Sequence, residues 1–188
     1  MSGRARAYLG MSIDGRIAGP EHSLGWLHEE RPREVESSPP ESPGAWVSYD
    51  DFMADIGVLL MGRRTFDVVS EFDRWPYGDL PVVVASSRAL PENHAATVSD
   101  ACGSTSEILA AARARTEGGD VYVDGGQLAS SFLDDGLLDE LTTTVLPTVR
   151  CPGVGLFESL AGPHNLDLVD LAVGEGGAVQ LRWIPQGI

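Results

Sequence analysis

Eight residues, Val121-Tyr122-Val123-Asp124-Gly125-Gly126-Gln127-Leu128, constrain this chain more than any other stretch. Three β-formers run straight into a glycine pair, and an apolar helical beat then opens with Leu128, Phe132 and Leu133. That pattern reads as a buried strand, a turn with no room for side chains, and a helix N-terminus. Glycine lets a bulky group approach the backbone, and the free N–H groups of the first helical turn then point at it. An anion, most often a phosphate, suits that place. A plain strand-to-helix turn suits the same residues equally well, because two glycines are less specific than a full dinucleotide fingerprint.

A second junction of the same design moves the balance toward a ligand. Residues 57–61 (GVLLM) read as a short buried strand that passes through Gly62 into a helix whose first turn carries Arg63, Arg64 and Thr65. Backbone donors, helix dipole and guanidinium groups coincide there. The chain has a formal net charge of −15, so a paired arginine at a strand–helix junction is more than ordinary solvation. Residues 81–88 (PVVVASSR) repeat the theme, a buried strand ending in Ser86, Ser87 and Arg88. In an open α/β sheet the C-terminal strand ends line one crevice. Three anion-holding ends fit an extended ligand with several phosphates, and a dinucleotide with a third phosphate is the economical choice.

The rest of the chain supports such a sheet. Residues 4–11 read as a first strand, followed at 12–19 by a loop with an Asp14-Gly15 turn, where Asp14 caps its own backbone or offers a polar group. Residues 22–44 hold Pro32, Pro39, Pro40 and Pro43 and read as a long excursion of a functional or mobile kind. Trp26 and Leu27 break its polarity and pack on core or ligand. Residues 46–56 have near-helical apolar spacing, and Asp50 and Asp51 suit a helix first turn on dipole grounds alone. Ser104 and Glu107 have capping-box spacing and open a helix to about Thr116. A helix after Gly126 runs to about Asp134, and 142–146 form another strand. Residues 168–173 and 178–184 form a hairpin around Gly174-Glu175-Gly176-Gly177. Strand–helix alternation followed by strands alone implies an α/β fold with a mainly parallel sheet and antiparallel pairing at the C-terminal end. At 188 residues, one domain spanning 1–188 is expected.

Composition excludes several classes. So acidic a chain lacks the basic face that nucleic acid requires. No apolar run approaches the roughly 18 residues of a membrane span, and no signal-peptide core precedes the first strand. Cys102 and Cys151 stand alone without metal-ligand spacing, so no metal is expected and a reducing cytoplasm is.

Five motifs in order, 12–18 (SIDGRIA), 61–66 (MGRRTF), 83–88 (VVASSR), 121–126 (VYVDGG) and 138–147 (LDELTTTVLP), carry a resemblance. The chain resembles the dihydrofolate reductase-like superfamily, and within it the stand-alone relatives of the reductase domain of the bifunctional riboflavin-biosynthesis deaminase/reductase. The resemblance implies a three-layer α/β/α fold and NADPH as hydride donor. Gly62, Arg63, Arg64 and Thr65 would meet the pyrophosphate and adenosine side. Ser86, Ser87 and Arg88 would take the 2′-phosphate, and Gly125, Gly126, Gln127 and Leu128 the pyrophosphate. Ile17 and Ala18 would lie against the nicotinamide. Asp124 stands where folate reductases have an apolar residue, which is similar to the riboflavin-type enzymes. The His-x-Glu and Pro-Cys-x-x-Cys pair of the zinc deaminase half is absent from the sequence.

The expected activity is therefore an NADPH-dependent reduction of a small heterocycle, pyrimidine or pteridine-like, of the 5-amino-6-(5-phosphoribosylamino)uracil reductase type, by a homodimer. Asp14 and Asp124 are its candidate catalytic acids, with Asp50 and Trp26 on the substrate side. The alternatives are a dihydrofolate reductase proper, with Asp50 as pterin-binding acid, and a non-catalytic NADP(H)-binding protein.

Overall fold

The structure, a computed structural model, describes residues 3–24, 26, 41–91 and 94–187. Strand β1 (Ala5–Ser12) and the short β2 (Arg16–Ala18) come first, followed by helix α1 (Tyr49–Ala54), β3 (Ile56–Gly62) and α2 (Arg63–Val69). Then come β4 (Val82–Ala85), β5 (Val98–Ala101), α3 (Thr105–Arg113), β6 (Asp120–Asp124) and α4 (Gly126–Asp134). Strands β7 (Glu140–Leu146), β8 (Val154–Gly155), β9 (Leu166–Val173) and β10 (Val179–Pro185) complete the order. Eight strands form one sheet in the order β5-β4-β3-β6-β1-β7-β10-β9, and β2 pairs with β8 beside it. The six strands from β5 to β7 run parallel, whereas β10 is antiparallel to both β7 and β9. This is the α/β architecture expected from the sequence.

The period of the buried strands decides the layers. Val58 and Leu60 join Val121 and Val123 in a cluster with Ile108 and Leu109 of α3 and Phe132 and Leu133 of α4. Leu59 and Met61, pointing the opposite way, join Phe52 of α1, Phe66 of α2 and Tyr122 in a second cluster. Both faces of the sheet are thus covered, as a parallel sheet requires. Local capping sets the helix starts. The Ser104 hydroxyl accepts from the Glu107 amide while the Glu107 carboxylate accepts from the Ser104 amide, a complete capping box. Ser48 caps α1 through the Asp51 amide, so that helix is shorter than the apolar spacing of 46–56 suggests.

At the N-terminal ends of the central strands lies a charged network. The buried Arg6 guanidinium meets Glu140 at 2.9 Å, Asp120 at 3.2 Å and Asp55 at 3.3 Å, and stacks on the Phe52 ring at 4.9 Å. Arg4 braces the same acids, at 3.1 Å from Asp120 and 3.3 Å from Glu140. At the outer edge, β9 leaves Leu168 and Val169 about half exposed. The excursion expected over 22–44 lies largely outside the described residues, which include only 22–24, 26 and 41–44 of it. Among the described residues no helix is long and apolar enough to cross a membrane.

Candidate functional site

The C-terminal ends of β1, β3, β4 and β6 open into a single cleft of about 850 Å³. Its floor is set by the three glycines singled out in the sequence, each for a different reason. Gly125 caps α4 with φ +100°, and a Cβ there would lie 2.6 Å from the Thr65 hydroxyl, so conformation and space both demand glycine. At Gly126 a Cβ would strike Cδ1 of Ile17, so this glycine serves close packing of the β2 wall. Gly62 is different. Its backbone is extended (φ −70°, ψ 155°), and nothing lies within 4 Å of where its Cβ would be. The open space next to the backbone therefore belongs to Gly62.

One end of the cleft is cationic. Arg63, Arg64 and Thr65 line it from α2, and Arg88 lines it from the loop after β4. Arg63 is largely committed within the protein: Nε meets Asp67 at 2.7 Å, and Nη1 donates to the Ala89 and Arg88 carbonyls at 2.9 and 3.2 Å. Ser86 is likewise committed, its hydroxyl donating to the Arg88 carbonyl at 2.7 Å and accepting from the Arg88 amide at 3.0 Å. These contacts shape the loop, and neither Ser86 nor Ser87 lines the cleft. Arg64 is exposed with no ion pair or side-chain hydrogen bond among the described residues, and the Arg88 side chain is 72% exposed.

The other end is aromatic and holds one acid. Tyr8, Tyr49, Phe72, Tyr77 and Tyr122 line it, with His22 and Leu24 alongside. Asp124, last residue of β6, accepts from the Tyr122 hydroxyl at 3.3 Å, and that hydroxyl also donates to the Tyr8 carbonyl at 2.9 Å. Burial pushes the Asp124 carboxyl up to about 6, against the opposing pull of the Tyr122 hydroxyl and the Gly125 amide. Burial, and after it the charge of Asp124, lifts Tyr49 to about 12 and raises Tyr77 as well. Ile17 and Ala18 of β2 line the cleft as well, as do Gly125, Gly126, Gln127 and Leu128 of the β6–α4 junction.

Besides Ser86 and Ser87, the structure leaves three more expected site residues outside this cleft lining. The Asp14 carboxylate accepts from the Ser12 hydroxyl at 2.7 Å and the Arg150 amide at 2.9 Å, contacts that hold its pKa below the usual carboxylate range. It clasps the β1–β2 turn to the segment after β7. Asp50 is exposed in the first turn of α1, where its neighbour Tyr49 is the residue that reaches the cleft. Trp26 is buried with the Arg150 guanidinium 5.3 Å over its ring. Conversely, the tyrosines of the cleft carry little signal in the sequence. Tyr122 had a signal, being two residues before Asp124 on the same side of a strand. Tyr77 sits in an irregular loop whose sequence has no period to read.

Sheet order, helices on both faces and a crevice at the strand ends define a dihydrofolate reductase-like α/β protein. The RibD C-terminal domain family matches residues 6–172, and the chain belongs to that family. A candidate riboflavin biosynthesis protein of Shewanella sp. PV-4 is similar in structure with a TM-score of 0.78 and 27% identity, over 97% of this chain and 99% of that one. The diaminohydroxyphosphoribosylaminopyrimidine deaminase/5-amino-6-(5-phosphoribosylamino)uracil reductase of Thermotoga maritima follows at TM-score 0.67 and 15% identity, with 98% of this chain spanning 57% of that one. Dihydrofolate reductase of Enterococcus faecalis, complexed with NADP(H), is similar at TM-score 0.63 and 18% identity, over 99% of this chain and 98% of that one. At these last two identities the likeness is one of fold.

Proposed function

We propose that the chain is an NADPH-dependent reductase that delivers a hydride to a small heterocyclic substrate, of the type represented by the reductase half of the Thermotoga enzyme. The observation that carries this reading is the composition of the cleft lining: cations and an open glycine together with aromatic rings around a single raised-pKa acid. The residues present fit the cofactor. Gly62 leaves space for a bulky group against the backbone, the first-turn amides of α4 suit a pyrophosphate, and Arg64, unpaired among the described residues, together with an exposed Arg88 that meets Asp67 at 3.8 Å, suits a further phosphate. Ile17 and Ala18 would bound the nicotinamide, and Ser86 and Ser87 would act by shaping the Arg88 loop. NADPH, when bound, supplies the hydride, and the protein orients the partners. A carboxyl with a pKa of about 6 keeps a usable protonated fraction near neutrality, so Asp124 can hand a proton to a substrate heteroatom. The chain would work as a homodimer. NADPH absorbance decay against a panel of pteridines, aminouracil ribosides and simple carbonyls tests the reading, and no turnover across the panel together with tight NADPH binding would favour a non-catalytic binding protein.

Two outcomes follow for the cofactor end. NADPH should bind at least about tenfold more tightly than NADH, because one charge-assisted contact contributes roughly 1.5–3 kcal/mol. The gap should narrow as salt rises. Titration of both cofactors at two ionic strengths checks this, and equal affinities would remove the phosphate assignment. Gly62→Val should leave the melting temperature within about 2 °C, since extended backbone accepts any residue. It should weaken NADPH binding by about tenfold or more by filling the space beside the backbone. Gly126→Val is the poorer test, because its side chain would first displace Ile17.

A further inference from the structure

Strands β1 and β6 part where the cleft begins. Their parallel ladder pairs Ala5 with Val121 and Arg6 with Tyr122 and goes no further, while β1 stays paired with β7 to Ser12 and β6 with β3 to Asp124. Tyr122 bridges the gap. It is 5% exposed, its ring is edge-on to Phe52 at 5.0 Å, and its hydroxyl donates to the Tyr8 carbonyl at 2.9 Å. The same hydroxyl stands 3.3 Å from Oδ1 of Asp124.

A phenol has one proton to donate, so these two acceptors compete for it. The carbonyl is the nearer. A hydroxyl bonded to an ionised carboxylate closes to about 2.5–2.7 Å, so the contact with Asp124 has room to shorten by about half an ångström when that carboxyl loses its proton. The remaining neighbours compete weakly. Tyr8 of β1, Tyr49 of α1 and Tyr77 after α2 line the same cleft, and burial raises all three phenols so that they stay neutral. Arg63, Arg64, Arg88 and His22 are the other titratable or charged groups of the lining, and among the described residues none is ion-paired with Asp124. Beside Tyr122, the Gly125 amide is the donor that serves the carboxylate.

Resting on the reductase reading, in which Asp124 is the proton donor, we infer that Tyr122 is its positioning residue: the hydroxyl holds Oδ1, leaves the transferable proton to Oδ2, and passes from the Tyr8 carbonyl to Oδ1 as that proton departs. The Oδ2–H bond breaks, a bond from that hydrogen to a substrate heteroatom forms, and the electron pair stays on the carboxylate. The O–H bond of Tyr122 is kept throughout. While the acid is neutral, the Tyr8 carbonyl keeps the hydroxyl aimed into the gap between the strands.

The test is an NMR titration of the full chain with labelled aspartate carboxyls, the Asp124 signal being assigned by its loss in Asp124→Asn. Tyr122→Phe should raise the Asp124 pKa by about half a unit to one unit, the difference between a charge-assisted hydrogen bond and the neutral one given up. Tyr122→fluorotyrosine, a stronger donor of nearly the same shape, should lower it, and this variant decides the matter if the phenylalanine protein does not fold. Opposite shifts from the two variants are not expected of a residue that only packs. In single-turnover hydride transfer the pH at which the rate falls should move with the titrated pKa. Adding Tyr122→Phe to Asp124→Asn should change the rate by less than about twofold, because no acid is then left for the hydroxyl to serve. A pKa that phenylalanine lowers or leaves within about 0.2 unit of wild type overturns the inference, as does one that fluorotyrosine fails to lower, or a full additive loss in the double variant. The titration needs no turnover, so a protein that shows both shifts yet transfers no hydride retains the hydrogen-bond exchange and overturns the reductase reading instead.

Discussion

Asp124→Asn is expected to lower single-turnover hydride transfer by about a hundredfold or more, with NADPH affinity unchanged, because a positioned general acid typically contributes 10²–10⁴-fold. The substitution keeps shape and hydrogen-bonding capacity while removing the proton. The carboxyl ends β6 inside the aromatic end of the cleft, and its pKa stands at about 6 because burial disfavours the charged form. The wild-type rate should therefore fall as pH rises through about 6, and the variant should lack that limb. Stability moves in the same sense. The folded carboxyl binds its proton more tightly than the unfolded one, with a pKa of about 6 against 3.8. The contribution of this group to stability is thus fully present below about pH 4 and is lost as pH rises through about 6, so at pH 7 the asparagine variant should be the more stable protein. The gain is at most about 3 kcal/mol, and less to the degree that water in the cleft solvates the carboxylate. A variant with unchanged hydride transfer and a lowered melting temperature would make Asp124 a turn residue and remove it from the chemistry.

Glu140→Ala should destabilise the fold by about 3 kcal/mol, because removing one partner of a buried pair strands the other charge. Arg6 and Glu140 are both nearly sealed from solvent, with side chains 8% and 3% exposed. Asp120 and Asp55 remain beside Arg6 and keep the cost toward the lower end of the usual range. For a chain of this length the melting temperature should drop by on the order of 10 °C. The double change Arg6→Met with Glu140→Leu should recover much of the loss, since no buried charge is then left without a partner: Asp120 keeps Arg4, and Asp55 is largely exposed to water. NADPH affinity per folded molecule should stay at the wild-type value, because the network and the cleft occupy opposite ends of the same strands. A melting shift of less than about 2 °C would show the network to be fully hydrated.

What could be read from the sequence follows the range of the interactions involved. Strands β3, β4 and β6 were legible because Leu59, Leu60, Val83 and Val123 are buried in unbroken apolar runs. Strand β5 was not, because only Val98 of its four residues is buried and the rest is polar. The glycine and arginine junctions are local motifs, and the structure brings them into one cleft as their spacing suggested. Asp14 is hard to place from its motif for the same reason. Its motif is local, but its partner, the Arg150 amide, lies 136 residues away. The aromatic end shows the same limit, since Tyr8, Tyr49, Tyr77 and Tyr122 come from four separate segments and meet only through the fold. Nor did the sequence distinguish the glycines, whose differences rest on what each would touch.

The half-exposed Leu168 and Val169 on β9 bear on the acid behaviour of the protein in solution. An outermost strand with apolar side chains is a place where two sheets can join edge to edge. Near neutrality the charge of −15 keeps such edges of separate molecules apart. That repulsion fades toward the isoelectric point near pH 4.4, only a little below the pKa of Asp124 at about 6. Colloidal attraction and protonation of the carboxyl thus set in over neighbouring stretches of pH. Light scattering should rise below the range in which the Asp124 titration is cleanly visible, so that titration is best followed from the alkaline side.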